Sequence, residues 1–407
     1  MKKLKNKTMK KKLLLLFVLI NFSYGYSQDF TVGGISYSVI PSTIDVRVVD
    51  SEFNISSYTI PPTVAYGTNT YTVTEIGDYA FSFSTLTSIT IPNTITKIGN
   101  SAFSYSPQLT TFEIPNSVIS IGNQAFENCY NLLNINIPDS VTSIGEKAFQ
   151  YCAALTTIHI PNSITSISNA MFLSCSGLTS INIPNSVTLI DDYAFFGCDS
   201  LTSITFPNSV TAIGYWAFFG CDGLTSITIP NSVTSIREFS FAYCSSLSTL
   251  IIPNSVTFIG NNAFKECPNL GAVICDIPTP IFINETVFEG LNYSNCQLIV
   301  PTESIVSYQN TYIWQLFDVS DVLSNSYFSI DDNVKLFPNP TQNELFVTIT
   351  NLNSPKLEII DLYGKVQMTV ALSLTSNTIN TSNLSNGMYL VKLTSDEGVV
   401  TKKIVKN

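Results

Sequence analysis

An isoleucine–proline or phenylalanine–proline pair stands at 91–92, 114–115, 137–138, 160–161, 183–184, 206–207, 229–230 and 252–253, each 23 residues after the one before. A fixed period of this length means that one structural unit is stacked on copies of itself. One unit reads Ile183-Pro-Asn-Ser-Val-Thr-Leu-Ile-Asp-Asp-Tyr-Ala-Phe-Phe-Gly-Cys-Asp-Ser-Leu-Thr-Ser-Ile-Thr205. Its Leu-Thr-Ser-Ile-Thr stretch alternates and is rich in β-branched residues, which predicts a short strand. The following proline ends that strand, because it has no N–H to give to a ladder. The Asn-Ser after it suits a turn. The Val, Ile, Ala-Phe, Cys and Leu of one coil have nothing to bury against within that coil, so stability must come from stacking. The phenylalanines are then expected in one column: Phe81, Phe103, Phe126, Phe149, Phe172, Phe195, Phe218, Phe241, Phe264 and Phe288.

Both ends depart from the period. About nine extra residues lie between Pro61 and Val73, and with Phe30–Ile40 and Ile44–Val49 they predict a β-rich N-terminal cap. After Lys265 the pattern loosens, returns at Leu298-Ile-Val-Pro301, and is expected to close on Tyr308, Tyr312, Trp314 and Phe317. Strand-like runs at 344–350, 356–362 and 388–393 predict a small β-sandwich beyond it.

The N-terminus has the features of an export signal. Residues 1–12 carry seven lysines and no acid, and Leu13 to Phe22 is apolar apart from Asn21. Small residues at Gly25 and Ser27 place signal cleavage between Ser27 and Gln28, and Met9 offers an alternative start. Ten apolar residues are too few to span a bilayer, so no transmembrane segment is expected in the mature chain. Removing the lysines leaves 12 basic against 29 acidic side chains, a balance unsuited to phosphate contacts with nucleic acid.

The repeat spelling Ile-Pro-Asn-Ser-Val-Thr-x-Ile-Gly-x-x-Ala-Phe-x-x-Cys-x-x-Leu-Thr-x-Ile resembles the BspA-like leucine-rich repeats of bacterial surface proteins, over about residues 29–320. At the other end stand Leu336-Phe-Pro-Asn-Pro-Thr, Asp361-Leu-Tyr-Gly-Lys365, Asn386-Gly-Met-Tyr-Leu-Val-Lys392 and a terminal Lys402-Lys-Ile-Val-Lys-Asn407. These resemble the C-terminal sorting domain (type A) of the type IX secretion system. Its motif falls here on Pro338, Asn339, Pro340, Gly387, Tyr389 and Lys392. Together the resemblances imply a mainly β protein, a leucine-rich-repeat solenoid followed by a small β-sandwich. The layout expected is a signal peptide (1–27), a capped repeat domain (28–325), a linker (326–332) and a sorting domain (333–407). They also imply export by the type IX machinery to the cell surface or medium, with the sorting domain usually removed.

Seven of the nine cysteines (129, 152, 175, 198, 221, 244 and 267) share one position of successive coils, with Ser106 holding it one coil earlier. They are expected to pack as small hydrophobes. No Cys-x-x-Cys pair marks a zinc site. Cys275 and Cys296 lie four residues out of step on neighbouring strands, about 13 Å at strand rise. That exceeds disulfide reach unless the cap shifts register. The lone histidine, His159, is expected on the surface with Glu113 as the only acid in its stripe, two coils away. Asp191-Asp192 reads as a solvated turn. No catalytic cluster or cofactor motif stands out, so neither an enzyme nor a cofactor is expected.

Two surfaces remain as candidates. One is the outward face of the Leu-Thr-Ser-Ile-Thr strands, a field of hydroxyls and amides. The other arises at position 11 of the repeat, counting the Ile of Ile-Pro as position 1. There Ser101, Gln124, Lys147 and Ala170 give way to Tyr193, Trp216 and Phe239. Phe196, Tyr215, Phe219 and Tyr243 lie close by in sequence, and with coils about 5 Å apart the rings should stack into one patch. The reading is a secreted or cell-surface protein that binds an extracellular protein in the manner of an adhesin. A glycan-binding module and a ligand-free spacer are the alternatives.

Overall fold

The computed structural model describes residues 29–51, 56–321, 334–337, 341–349, 355–361, 365–373, 376–395 and 398–406. The expected signal peptide, the linker and the Pro338-Asn339-Pro340 motif lie outside the described residues. Two compact units divide the chain. One runs to Gln297 and takes in Asn310–Asp318; the other is Leu298–Gln309 with Val319 onward.

Most coils of the first unit carry two strands, not the one that the sequence predicts. The expected strip is built from strands such as Thr111–Glu113, Asn134–Asn136, Ser226–Thr228 and Thr249–Ile252. They pair in parallel with a shift of one repeat, Asn134 against Thr111 and Ser226 against Thr249. This strip is broken into short sheets, and Ser203–Thr205, although it repeats the same pattern, forms no strand. The second strip is more continuous. Its two-residue strands, Lys97–Ile98, Ser120–Ile121 and Ser143–Ile144 among them, join through Asn69–Ile76 to Asp45–Ser51. A second run extends from Ser166–Ile167 to Phe258–Ile259. In these strands the isoleucine is buried and the residue before it is not. The glycine that follows in many coils is a packing requirement. A Cβ on Gly122 would stand 2.6 Å from the Asn100 nitrogen, so the chain passes where no side chain fits.

Hydroxyls stitch the coils together. Ser140 donates to the Val118 carbonyl (2.8 Å), Ser209 to Val187 (2.7 Å) and Ser255 to Val233 (2.8 Å), each from the serine of Pro-Asn-Ser or Pro-Asp-Ser to the coil before. Inside, the phenylalanine column forms as expected. Ring centroids are 5.1–5.7 Å apart from Phe81 to Phe288, as in the 5.1 Å pair Phe195–Phe218 and the 5.7 Å pair Phe149–Phe172. Phe288 ends the column edge-on against Trp314 and Phe317. Trp314 is fully buried and its indole N–H donates to the Ile281 carbonyl at 2.8 Å. Tyr312 does not close the core. It is exposed, and its hydroxyl reaches outward to Glu285 at 3.3 Å.

The cysteines are all free thiols and all buried, Cys275 and Cys296 included. The seven in register do more than fill space. Each donates its S–H to a phenylalanine carbonyl of the preceding coil, Cys129 to Phe103 and Cys175 to Phe149 at 3.2 and 3.1 Å. Ser106 makes the same bond to Phe81 at 3.0 Å.

The N-terminal cap is a hairpin, Asp29–Val32 with Ile35–Val39, whose second strand pairs with Asp45–Ser51. The extra residues after Pro61 form a second hairpin, Thr63–Tyr66 with Asn69–Ile76, turning at Gly67 with φ +63°. Phe30 stacks on Tyr66 at 4.3 Å, which covers the end of the stack.

In the second unit Val334–Phe337, Glu344–Ile349 and Ser376–Asn380 form one antiparallel sheet. Val366–Ala371, Lys356–Asp361, Gly387–Ser395 and Gly398–Lys406 form another. Leu345, Val347 and Ile349 of the first share a core with Leu357, Ile359, Val391, Leu393 and Ile404 of the second, which makes a sandwich. Of the sorting-motif residues described, Tyr389 is buried with its hydroxyl donating to the Ser385 carbonyl, Gly387 opens the Gly387–Ser395 strand, and Lys392 pairs with Glu358 and Thr401. No helix among the described residues is long and apolar enough to cross a membrane.

Candidate interaction surface

The backbone of every coil alternates in handedness on the side that carries the aromatic residues. Position 11 is left-handed from Ser101 (φ +51°) through Gln124, Lys147, Ala170, Tyr193, Trp216 and Phe239 to Asn262 (φ +59°). Position 15 is left-handed as well, at Tyr105, Asn128, Tyr151, Ser174, Gly197, Gly220, Tyr243 and Glu266. The alternation turns every second N–H toward the next coil. Tyr193, Phe195 and Gly197 thus donate to the carbonyls of Tyr215, Ala217 and Phe219 at 2.9, 2.8 and 2.8 Å. Glycine and asparagine take this conformation readily, whereas other residues are penalised by about 1–2 kcal/mol. Gly197, Gly220 and Asn262 are the relaxed solution. Tyr193, Trp216 and Phe239 are not.

Those three rings stack. Tyr193 and Trp216 are 6.2 Å apart at 13°, and Trp216 and Phe239 are 4.2 Å apart at 12°. A parallel pair, Phe196 and Phe219, stacks at 4.8 Å, and Trp216 leans on Phe219 at 4.7 Å. Tyr243 extends the cluster from Phe219 at 4.9 Å. Tyr215 stands apart from the stack, since the Arg237 guanidinium lies 5.1 Å over its ring and donates to its hydroxyl at 3.0 Å. Tyr193, Tyr215 and Tyr243 are exposed, while Phe196, Trp216, Phe219 and Phe239 are half-buried. Stacking along the coil axis leaves ring edges, not ring faces, toward solvent.

The sequence reading missed a second aromatic group. Tyr79, Phe83, Tyr105, Tyr130 and Tyr151 are exposed by 64, 62, 41, 46 and 39 %. The available signal was the recurrence of rings at position 15, which position 11 obscured.

The outward face of the first strip is the expected hydroxyl and amide field. A shallow depression of about 510 Å³ lies there among Ser203, Thr205, Ser226, Thr228, Asn231 and Asp276. Burial pushes the Asp276 carboxyl above its ordinary pKa. His159 has a nearer acid than Glu113. Its Nε2 is 3.5 Å from Asp139 Oδ1, on the turn of the coil before. Both side chains are exposed, so the contact contributes little. Asp191 and Asp192 accept backbone N–H groups of Asp192 and Tyr215, both at 2.8 Å, as turn caps do. Among the described residues no three of His, Cys, Asp and Glu are arranged to hold a metal ion.

Residues 64–179 and 165–298, together more than half of the chain, match the BspA type leucine rich repeat region in six copies. The chain belongs to this family of repeat proteins. Residues 335–407 match the secretion system C-terminal sorting domain. A leucine rich cell surface protein from Faecalibacterium prausnitzii A2-165 is similar at 26% identity and a TM-score of 0.51, over 74% of this chain and 95% of its own. A leucine-rich repeat protein from Bacteroides ovatus is similar at 24% identity and a TM-score of 0.47, over 72% of this chain and 100% of its own. No curated protein matches. The BspA-type chain is therefore a leucine-rich-repeat protein with a type IX sorting domain, exported to the cell surface or the medium.

Proposed function

We propose that this protein is adhesin-like and that it binds an extracellular protein through the column Tyr193–Trp216–Phe239 with Phe196, Phe219, Tyr215 and Tyr243. The observation that carries this reading is the placing of three large rings, in three successive coils, at a left-handed backbone position that asparagine or glycine would relax. The left-handed turn belongs to the other coils too, at Ser101, Gln124, Lys147 and Ala170, and what sets these three apart is a contiguous group of large rings at the surface. The orientation of the rings favours a protein over a sugar. A sugar platform needs an open ring face, but a separation of 4.2 Å closes the facing surfaces of Trp216 and Phe239. The edges and half-buried flanks that remain are suited to apolar side chains, as in the aromatic hot spots of protein interfaces.

The test is binding of the secreted protein to immobilised matrix glycoproteins, beside a variant carrying Tyr193→Asn, Trp216→Asn and Phe239→Asn. Asparagine keeps the backbone conformation, so the variant should fold. Selective binding that falls at least tenfold in the variant supports the reading. Binding that survives moves the site to the hydroxyl face or to a cap. Silence of a folded protein favours the spacer. Acrylamide quenching gives an independent check, because the other of the two tryptophans, Trp314, is buried. Trp216 emission insensitive to the quencher would count against an accessible column.

A further inference from the structure

The second aromatic group leaves open what the first one closes. Phe83, Tyr105, Asn128 and Tyr151 occupy one left-handed position in four successive coils. Backbone bonds of 2.8 Å tie the rungs together, from Phe83 to Ser104, Tyr105 to Glu127, and Asn128 to Gln150. Phe83 and Tyr105 stack at 4.8 Å and 11°. The next rung is an amide instead of a ring, so the stack stops. The far face of Tyr105 then has no ring against it among the described residues, and neither does Tyr151. The two tyrosines are separated by two coil rises, about 11 Å on the 5.4 Å spacing of Phe103 and Phe126, which leaves room for one saturated ring between aromatic planes.

The interval between them is polar. Asn128 is buried, 4 % exposed, and its Oδ1 accepts the Tyr130 hydroxyl at 2.7 Å. Gln150, the residue before Tyr151, is 8 % exposed, and its Oε1 has no hydrogen-bond partner among the described residues. That oxygen is enclosed by protein atoms, so the amide nitrogen is the part of Gln150 left to meet a ligand. Tyr79 and Tyr130 add two exposed phenols. The lining side chains are phenols, a phenyl ring and amides, and the carboxylate beside Asn128, Glu127, is engaged by the Gln124 amide at 2.8 Å.

We infer that this surface is a carbohydrate site and that it takes a neutral oligosaccharide. One pyranose ring sits between Tyr105 and Tyr151 with its C–H faces on the aromatic faces. Its hydroxyls meet the amide nitrogens of Asn128 and Gln150 and the phenol of Tyr130. This site is separate in sequence from the column at Tyr193, Trp216 and Phe239 and does not depend on that reading.

The experiment is calorimetric titration of the full secreted chain with neutral hexasaccharides of β-1,4-glucan, β-1,3-glucan and α-mannan. Three variants are compared with it: the double variant Tyr105→Asn and Tyr151→Asn, Gln150→Leu, and Trp216→Asn. At least one probe should bind the unchanged protein. The double variant should lose affinity tenfold or more, Gln150→Leu should weaken it, and Trp216→Asn should leave it unchanged. Superimposable thermal melts would establish that the variants fold, and Gln150→Leu keeps the rings should the double variant fail to do so. Binding by none of the probes would overturn the proposal. So would sugar binding that survives both the double variant and Gln150→Leu. Loss of a protein ligand in the double variant, with sugar binding unaffected, would reassign the surface to a protein.

Discussion

At the scale of the residue, the cysteine column shows a side chain whose hydrogen bond matters as much as its volume. Cys175 gives the Phe149 carbonyl a second hydrogen bond, beside the one that carbonyl accepts from the Cys152 N–H at 3.1 Å. Ser106 makes the same bond in the first coil, so Cys175→Ser should be nearly neutral. Cys175→Ala removes one of the two bonds to the Phe149 carbonyl and a buried sulfur, and should cost about 0.5–1.5 kcal/mol in urea denaturation. The thiols also set an alkaline limit. Burial pushes Cys129, Cys175 and Cys267 up to about 12 from an ordinary 9.0. Because the folded pKa is raised, the unfolded chain gives up protons first. Stability is therefore complete below pH 9 and falls as pH rises from 9 toward 12, by up to ~1.4 kcal/mol per pH unit for each thiol. Circular dichroism should show cooperative alkaline unfolding, and variants with several Cys→Ser changes should unfold at higher pH. A flat stability profile across that range would refute the assignment. At neutral pH the native thiols should resist aromatic disulfide reagents and react only on unfolding.

At the scale of the element, the two strands of a coil are held by different means. The Thr-Ser-Ile-Thr strand has the stronger sequence signal and the more broken ladder. The Ser-Ile strand has only two residues, but the coil is pulled close there and glycine follows it. Gly122→Ala puts a methyl group 2.6 Å from the Asn100 nitrogen and should cost about 1–3 kcal/mol, read as a lower urea midpoint. Trp216→Asn is the contrasting case. It relaxes a left-handed residue at the loss of four ring contacts, all at the half-buried surface, so its melting temperature should lie within a few degrees of the unchanged protein while ligand binding falls. A large destabilisation would mean that the column is structural.

At the scale of the molecule, the first unit is a quasi-one-dimensional stack, and its stability comes from each coil lying on the next. Deleting residues 160–182 removes one whole period and should leave a folded protein with a modestly lower melting temperature. Deleting 160–171 removes about half a period, takes every later side chain out of register, and should give an unfolded or aggregated product by size-exclusion chromatography. Removing the cap residues 29–66 uncovers strand edges and should produce association.

Periodicity determined the fold because in a stacked repeat each side chain's neighbour is the same side chain one period away. The phenylalanine column, the buried cysteines, the strand at Thr-Ser-Ile-Thr and the ring cluster at Tyr193, Trp216 and Phe239 all follow from that single rule, since they need only a column register and a coil rise. The family resemblance added the export route. What the period could not supply was the direction in which the backbone turns within one coil. The second strip at Ser-Ile, the left-handed positions 11 and 15, the Asp139 partner of His159 and the outward turn of Tyr312 depend on φ and ψ values set by contacts between coils. The surface at Tyr105, Asn128 and Tyr151 depends on them too. A ring at position 15 is only a letter in the sequence. The fold alone decides that its face is open, because that requires the backbone to hold the ring outward and the next rung to hold an amide instead of another ring.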